Sequence, residues 1–224
     1  MRRLRTLLAG LPEVGERERV AQRAPQGSLE GFPVAEVAPE DELFRCHHVD
    51  RGPWWFGNDG GGRFDLPSPR GTCYLALDAE SAVRERLGPV LAVRPVLPES
   101  ALEDAIVSRL HAPSTWRLAD LQSRAAGGFG VTRELETMVP YAVPQAWARA
   151  FADAGLGGVR YGPRFTPGQA SSVAAFGDEG GRDWPTDAGA VPAASVPGIP
   201  DLVAAPRRSD LTVVRPPRTR AHRS

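Results

Sequence analysis

Gly61-Gly62-Arg63-Phe64-Asp65-Leu66-Pro67-Ser68-Pro69-Arg70-Gly71-Thr72-Cys73-Tyr74-Leu75-Ala76-Leu77-Asp78-Ala79-Glu80-Ser81-Ala82-Val83-Arg84-Glu85-Arg86-Leu87-Gly88 reads as an arginine-bearing glycine loop, a tight turn, a strand and a capped helix. Pro67, Pro69 and Gly71 bend the chain and cannot extend a ladder, so the arginine loop must turn into the segment after it. Residues 72–77 are β-branched, aromatic and aliphatic, which predicts a strand. Alternation puts Thr72, Tyr74 and Ala76 on one face and Cys73, Leu75 and Leu77 on the other, the core face. Tyr74 then stands on the more polar side, where its ring and hydroxyl could meet a ligand.

Asp78 is a good N-cap, Glu80 complements the dipole of the first turn, and Gly88-Pro89 is a stop signal, so the spacing predicts a helix over residues 79–87. Its apolar stripe is Ala79, Val83 and Leu87, with Glu85 pointing away. The helical wheel by itself makes Glu85 an ordinary solvated carboxylate.

Working outward, 224 residues fit one domain with tails and can bury a core without covalent staples. The charge balances at 27 basic and 27 acidic residues, so nothing in the total points to nucleic acid or an anionic membrane. Every basic residue apart from histidine is arginine, which excludes lysine nucleophiles and Schiff bases. Cys46 and Cys73 have neither zinc nor disulfide spacing, and each adjoins a candidate site residue, Arg45 or Tyr74, so alternation turns both thiols behind the pocket. His47, His48, His111 and His222 make no ligand set, and no metal is expected. The basic start is followed at once by Glu13, Glu16 and Glu18, which disagrees with a signal peptide, and no stretch approaches the roughly 18 apolar residues of a membrane span. The expectation is a cytoplasmic protein.

Punctuation and composition divide the chain into three segments. Residues 1–40 form an N-terminal arm with at most one short helix, residues 41–180 the folded domain, and residues 181–224 a Pro/Ala/Arg-rich tail. Within that tail, residues 207–224 carry six arginines against one aspartate, the mark of a solvated basic end. In the domain, residues 44–49 are the first core strand, with Arg45, His47 and Val49 on one face, so His47 would share a cleft with Arg45. Trp54-Trp55-Phe56 before Gly57 and residues 60–62 reads either as an aromatic plug of the core edge or as a mobile flap. Strands are expected at residues 89–98, 105–110, 116–121, 158–161 and 172–176. A helix should start at Pro144 and stop at Gly155, burying Trp147 and Phe151, while residues 129–139 could be helix or loop.

Phe44-Arg45, Gly61-Gly62-Arg63-Phe64, Tyr74-Leu75-Ala76 and a helix with Glu85 form a pattern that resembles the RES domain family. The order continues through Ala119-Asp120-Leu121, Gln145-Ala146-Trp147-Ala148, Gly157-Gly158-Val159-Arg160-Tyr161 and Val173-Ala174-Ala175-Phe176-Gly177, covering roughly residues 43–178. The family is named for its Arg, Glu and Ser, and its studied members are NAD-consuming toxins of toxin–antitoxin pairs. The resemblance implies an α+β fold, an ADP-ribosyltransferase-like core of two small mixed sheets with short helices around an NAD cleft. It also implies cleavage of the nicotinamide–ribose bond, with Glu85 stabilising a ribosyl cation, Arg45 and Arg63 binding the diphosphate, and Tyr74 holding nicotinamide or ribose, while strand alternation adds His47 to the NAD-binding side.

Implied partners are NAD as substrate with no further cofactor, inorganic phosphate as one acceptor, and a separately encoded antitoxin. Water and a protein side chain are the other acceptors, the last making a mono-ADP-ribosyltransferase. One position departs from the family. Its serine is often found in Tyr-x-Ser-Arg, where this chain has Tyr161-Gly162-Pro163-Arg164, and aligning on Gln145 instead gives Ala142. Ser171 or Ser172 could substitute in space. Failing that, the chain would be a non-catalytic module that binds NAD or a partner.

Overall fold

The computed structural model describes residues 21–93, 96–98, 100–187, 189–199 and 212–214. Residues 1–20 of the expected N-terminal arm and most of the basic end lie outside the described residues. The main sheet is eight-stranded and mixed, built from β1 (Val34–Val37), β2 (Leu43–His48), β4 (Arg70–Ala76), β6 (Ala105–Leu110), β7 (Trp116–Asp120), β8 (Gly158–Tyr161), β9 (Ser172–Asp178) and β11 (Val191–Pro192). Their order is β1-β7-β8-β9-β4-β2-β6-β11, and every neighbouring pair is antiparallel except β7 and β8. Two further two-stranded pairs join β3 (Trp55–Phe56) to β10 (Gly180–Gly181) and β5 (Val96–Pro98) to β12 (Thr212–Val214). The class is α+β, as the resemblance implies, with the strands collected into one large sheet and two small ones.

Helix α1 spans Ala79–Val93, α2 Ser100–Glu103 and α3 Ala142–Asp153, with 3-10 turns at Arg124–Phe129 and Arg133–Glu136. The expected end of α1 at Gly88-Pro89 is overturned: the helix runs through both residues to Val93. The strand expected over residues 89–98 is correspondingly cut to Val96–Pro98. Proline removes one helical N–H and costs about 3 kcal/mol in a helix interior, so tertiary packing must outweigh it here. Before the proline, Val83 and Leu87 anchor the helix by burying against Val107, Val196 and Ile199.

The sheet is covered on both faces. Val159, Ala174 and Phe176 meet Trp147 and Phe151 of α3 on one side, while Leu43, Leu75, Leu118 and Val173 enclose a second cluster with Trp54 and Phe56 on the other. Strand β9 is therefore buried at every position from Ser172 to Phe176, which hides the alternation a half-exposed strand would show. Phe151 has no exposed surface, and its truncation to alanine should cost about 3–5 kcal/mol.

The flanking segments join this core. Strand β1 pairs along its whole length with β7, and Phe32, 5 % exposed, packs on Phe151 with ring centroids 4.8 Å apart. Trp184 closes edge-on against Trp54 at 5.0 Å, and Val196 and Ile199 cover α1. Residues 21–40 and 181–199 thus supply apolar side chains that the composition-based boundaries at 40 and 181 set apart.

Candidate active site

The arginine loop is a built turn. Gly62 donates its N–H to Asp65 Oδ2 at 2.8 Å, and the Tyr74 hydroxyl donates to Asp65 Oδ1 at 2.8 Å while accepting from the Phe64 N–H at 2.8 Å. A Cβ on Gly62 would lie 2.2 Å from Asp65 Oδ1 and 2.3 Å from the Tyr74 hydroxyl, so only glycine fits. From α3, the Gln145 side-chain amide donates to the carbonyls of Gly60 and Gly62 at 3.1 and 3.0 Å, fixing the loop from outside. Burial raises the Tyr74 phenol well above its usual range and also raises the Asp65 carboxyl.

Arg63 leaves this turn almost wholly buried, 8 % exposed, with its guanidinium 5.3 Å from the centre of the Tyr141 ring. Among the described residues its Nε has no hydrogen-bond partner. A buried cation that stacks on an aromatic face and leaves a donor unsatisfied is expensive, which is the usual condition of a group awaiting a charged ligand.

Arg63 borders a cleft of about 320 Å³, whose wall also includes Cys46, Tyr74, Glu85, Tyr141, Tyr161, Arg164, Phe165 and Ser172. Glu85 reaches it from α1. Its Oε1 accepts from the Phe165 N–H at 2.6 Å and the Thr166 hydroxyl at 3.3 Å, and its Oε2 from the Arg164 N–H at 3.2 Å. Burial raises the Glu85 carboxyl, and these donors together with the Arg63 charge oppose the rise. The Glu85 expected on a solvated face is instead half-buried and bonded to the loop after β8. The wheel shows only the angle from the helix's own apolar stripe and cannot show that loop.

The sequence expectation for β2 is reversed. Phe44 lies opposite Ala76 in the antiparallel pair of β2 and β4, and directly opposed residues share a sheet face. Phe44 and Cys46 therefore stand with Tyr74 and Ala76 on the cleft side, and Arg45 and His47 point behind it. Arg45 borders the cleft along the strand, but its Nη1 donates to the carbonyls of Pro53 and Trp55 at 2.5 and 2.9 Å and to Cys73 Sγ at 2.9 Å. His47 is buried against Ser108, Nε2 to Oγ 2.8 Å, burial lowers its basicity, and it does not line the cleft. Of the two thiols placed behind the pocket, Cys73 is there and Cys46 is in the wall, its thiol pushed up to about 11 by burial.

Of the predicted set, Glu85, Arg63 and Tyr74 meet in one cleft, though the Tyr74 hydroxyl is spent on the turn. Sequence reasoning missed Tyr141 and Phe165. Tyr141 lies one helical turn before Gln145, and Phe165 lies in the Pro163 to Gly168 turn, so both could have been found by asking what flanks those motifs. Ser172 borders the cleft, whereas Ser171 turns away and donates to Gln122 Oε1 at 2.5 Å. Among the described residues no three His, Cys, Asp or Glu side chains are grouped to hold a metal ion, and no described helix is long and apolar enough to cross a membrane.

The fold resembles a chain in the crystal structure of the M. tuberculosis MbcT–MbcA toxin–antitoxin complex, with a TM-score of 0.55 and 16% identity, over 73% of this chain and 82% of that one. No curated protein matches the chain in sequence. The RES domain pattern matches residues 42–192, about two thirds of the chain and every element that shapes the cleft. The chain belongs to the RES domain family.

Proposed function

We propose that this chain cleaves the bond between nicotinamide and ribose in NAD and serves as the toxin of a toxin–antitoxin pair. The carrying observation is that a buried arginine whose Nε has no partner among the described residues, Arg63, and a half-buried carboxylate, Glu85, border the same cleft. Arg63 binds the diphosphate, where a guanidinium forms forked, charge-assisted bonds to phosphate oxygens. Glu85 faces the nicotinamide ribose. As the C–N bond breaks, its electron pair returns to the pyridinium nitrogen and nicotinamide leaves neutral, so no general acid is needed. Positive charge grows on the ribose, and an ionised Glu85 stabilises it. An oxygen of phosphate or water then bonds to the ribose carbon, water losing its proton to solvent.

The rings of Tyr74, Tyr141, Tyr161 and Phe165 give the cleft flat apolar walls suited to a nicotinamide. Arg45 acts from behind, tying residues 53–55 to the back of the wall. The toxin role draws support from family membership and from the likeness to a chain taken from a toxin–antitoxin complex. Incubating the protein with NAD, with and without phosphate, and resolving the products tests the reaction: nicotinamide with ADP-ribose or ADP-ribose-1″-phosphate is expected. Intact NAD under every condition would overturn it.

A further inference from the structure

Proline stands at position 163, where the family resemblance places a serine, and of the two serines that could replace it Ser171 is bonded to Gln122. Among the described residues the hydroxyl that bonds to Glu85 is that of Thr166, three residues further on, at 3.3 Å from Oε1. The turn that carries it is stiff. Pro163 and Pro167 bracket Thr166, a residue before proline is held out of the helical region, and a β-branched side chain has few rotamers. The Phe165 ring anchors the same turn over α1 at Gly88.

The donors are unevenly shared between the carboxylate oxygens. Among the described residues Oε1 accepts from the Phe165 N–H at 2.6 Å and from Thr166 at 3.3 Å, whereas Oε2 accepts from the Arg164 N–H alone, at 3.2 Å. Loading one oxygen fixes the plane of the carboxylate and leaves the other as the stronger acceptor. We propose that Thr166 is a positioning residue that takes over the missing serine's hydroxyl, orienting Glu85 so that Oε2 faces the ribose; this rests on the cleft being the nicotinamide–ribose-cleaving site. Thr166 also favours the ionised carboxylate, because a donated hydrogen bond stabilises the charge. The other charged or titratable groups around the cleft that holds Glu85 are Arg63 from the glycine turn, Tyr74 from β4, Tyr161 from β8, Arg164 from the loop, Tyr141 before α3, Arg86 beside it, and Arg45 and Cys46 from β2.

The test compares Thr166→Val, which keeps the shape and removes the hydroxyl, with Thr166→Ser, which keeps the hydroxyl, thermal midpoints confirming that both fold. Nicotinamide release by Thr166→Val should fall about threefold to tenfold in kcat with KM little changed. Its acid limb should move to higher pH by about half a unit, and Thr166→Ser should restore both. Carbon-13 NMR titration of the Glu85 carboxyl in the full chain without NAD should show the same upward move in Thr166→Val, a readout independent of turnover. Wild-type kcat, acid limb and Glu85 titration in Thr166→Val would overturn the proposal. Absence of nicotinamide release by the wild type would instead overturn the reaction, and the titration would still decide whether Thr166 acts on Glu85.

Discussion

Gly88 and Phe165 lie so close that a Cβ on Gly88 would sit 2.0 Å from the Phe165 Cγ. The glycine that reads as a helix stop is a notch in the helix wall, and the ring seated in it brings the Phe165 N–H to Glu85 Oε1. Alanine at position 88 should gain about 1 kcal/mol of helix propensity and lose about 1–3 kcal/mol to overpacking. The second effect wins, because the displaced ring also loosens a bond to a half-buried carboxylate. Gly88→Ala should lower the thermal midpoint by a few degrees. A midpoint above that of the wild type would show that the ring moves freely.

Arg63 is costly to the fold because it is a buried cation whose Nε is unsatisfied among the described residues. Arg63→Met keeps most of its length and removes the charge, so the denaturation midpoint should stay level or rise, by up to about 2 kcal/mol, since apolar replacement of buried charge is often neutral or stabilising. The same variant should lose at least about tenfold in NAD affinity, the worth of one charge-assisted contact. Denaturation and titration calorimetry read the two effects separately, and a large loss of stability with intact binding contradicts the account.

Tyr74→Phe tests whether the hydroxyl belongs to the turn. It strips a donor from Asp65 and an acceptor from the Phe64 N–H, both within the loop that carries Arg63. The expected cost is about 1–3 kcal/mol for the groups left unsatisfied, seen in chemical denaturation. A stability equal to the wild type would return the hydroxyl to the ligand.

The pH dependence comes from the raised Glu85 carboxyl. Only the ionised form stabilises a ribosyl cation, so kcat should fall as pH drops through a value above the ordinary 4.5. For stability the sign is opposite. The folded state takes up this proton more readily than the unfolded chain, so the contribution of Glu85 is favourable at low pH and is lost as pH rises from about 4.5 through the raised value. The gap in thermal midpoint between wild type and Glu85→Gln should accordingly favour the variant more at pH 7 than at pH 4.

Much of this was legible in the sequence because local chemistry dictated it. The turn residues around Gly71, the strand at Tyr74 and the amphipathic helix at Trp147 and Phe151 needed no long-range information. What failed depended on partners far along the chain. Which face of β2 carries Arg45 is set by the register of Phe44 against Ala76, and a one-residue slip reverses every side chain. The run of α1 through Pro89 carries no local signal, and the burial of Glu85 depends on a loop about eighty positions away.

The central claim is that Glu85 carries the chemistry of nicotinamide release. The direct measurement is the rate of nicotinamide formation from NAD by wild type and Glu85→Gln at neutral pH, with NAD binding measured on both. The account predicts turnover by the wild type and a loss of about a hundredfold or more in the variant, with NAD still bound, as expected when electrostatic stabilisation of the transition state is removed. Equal rates in the two proteins would contradict it.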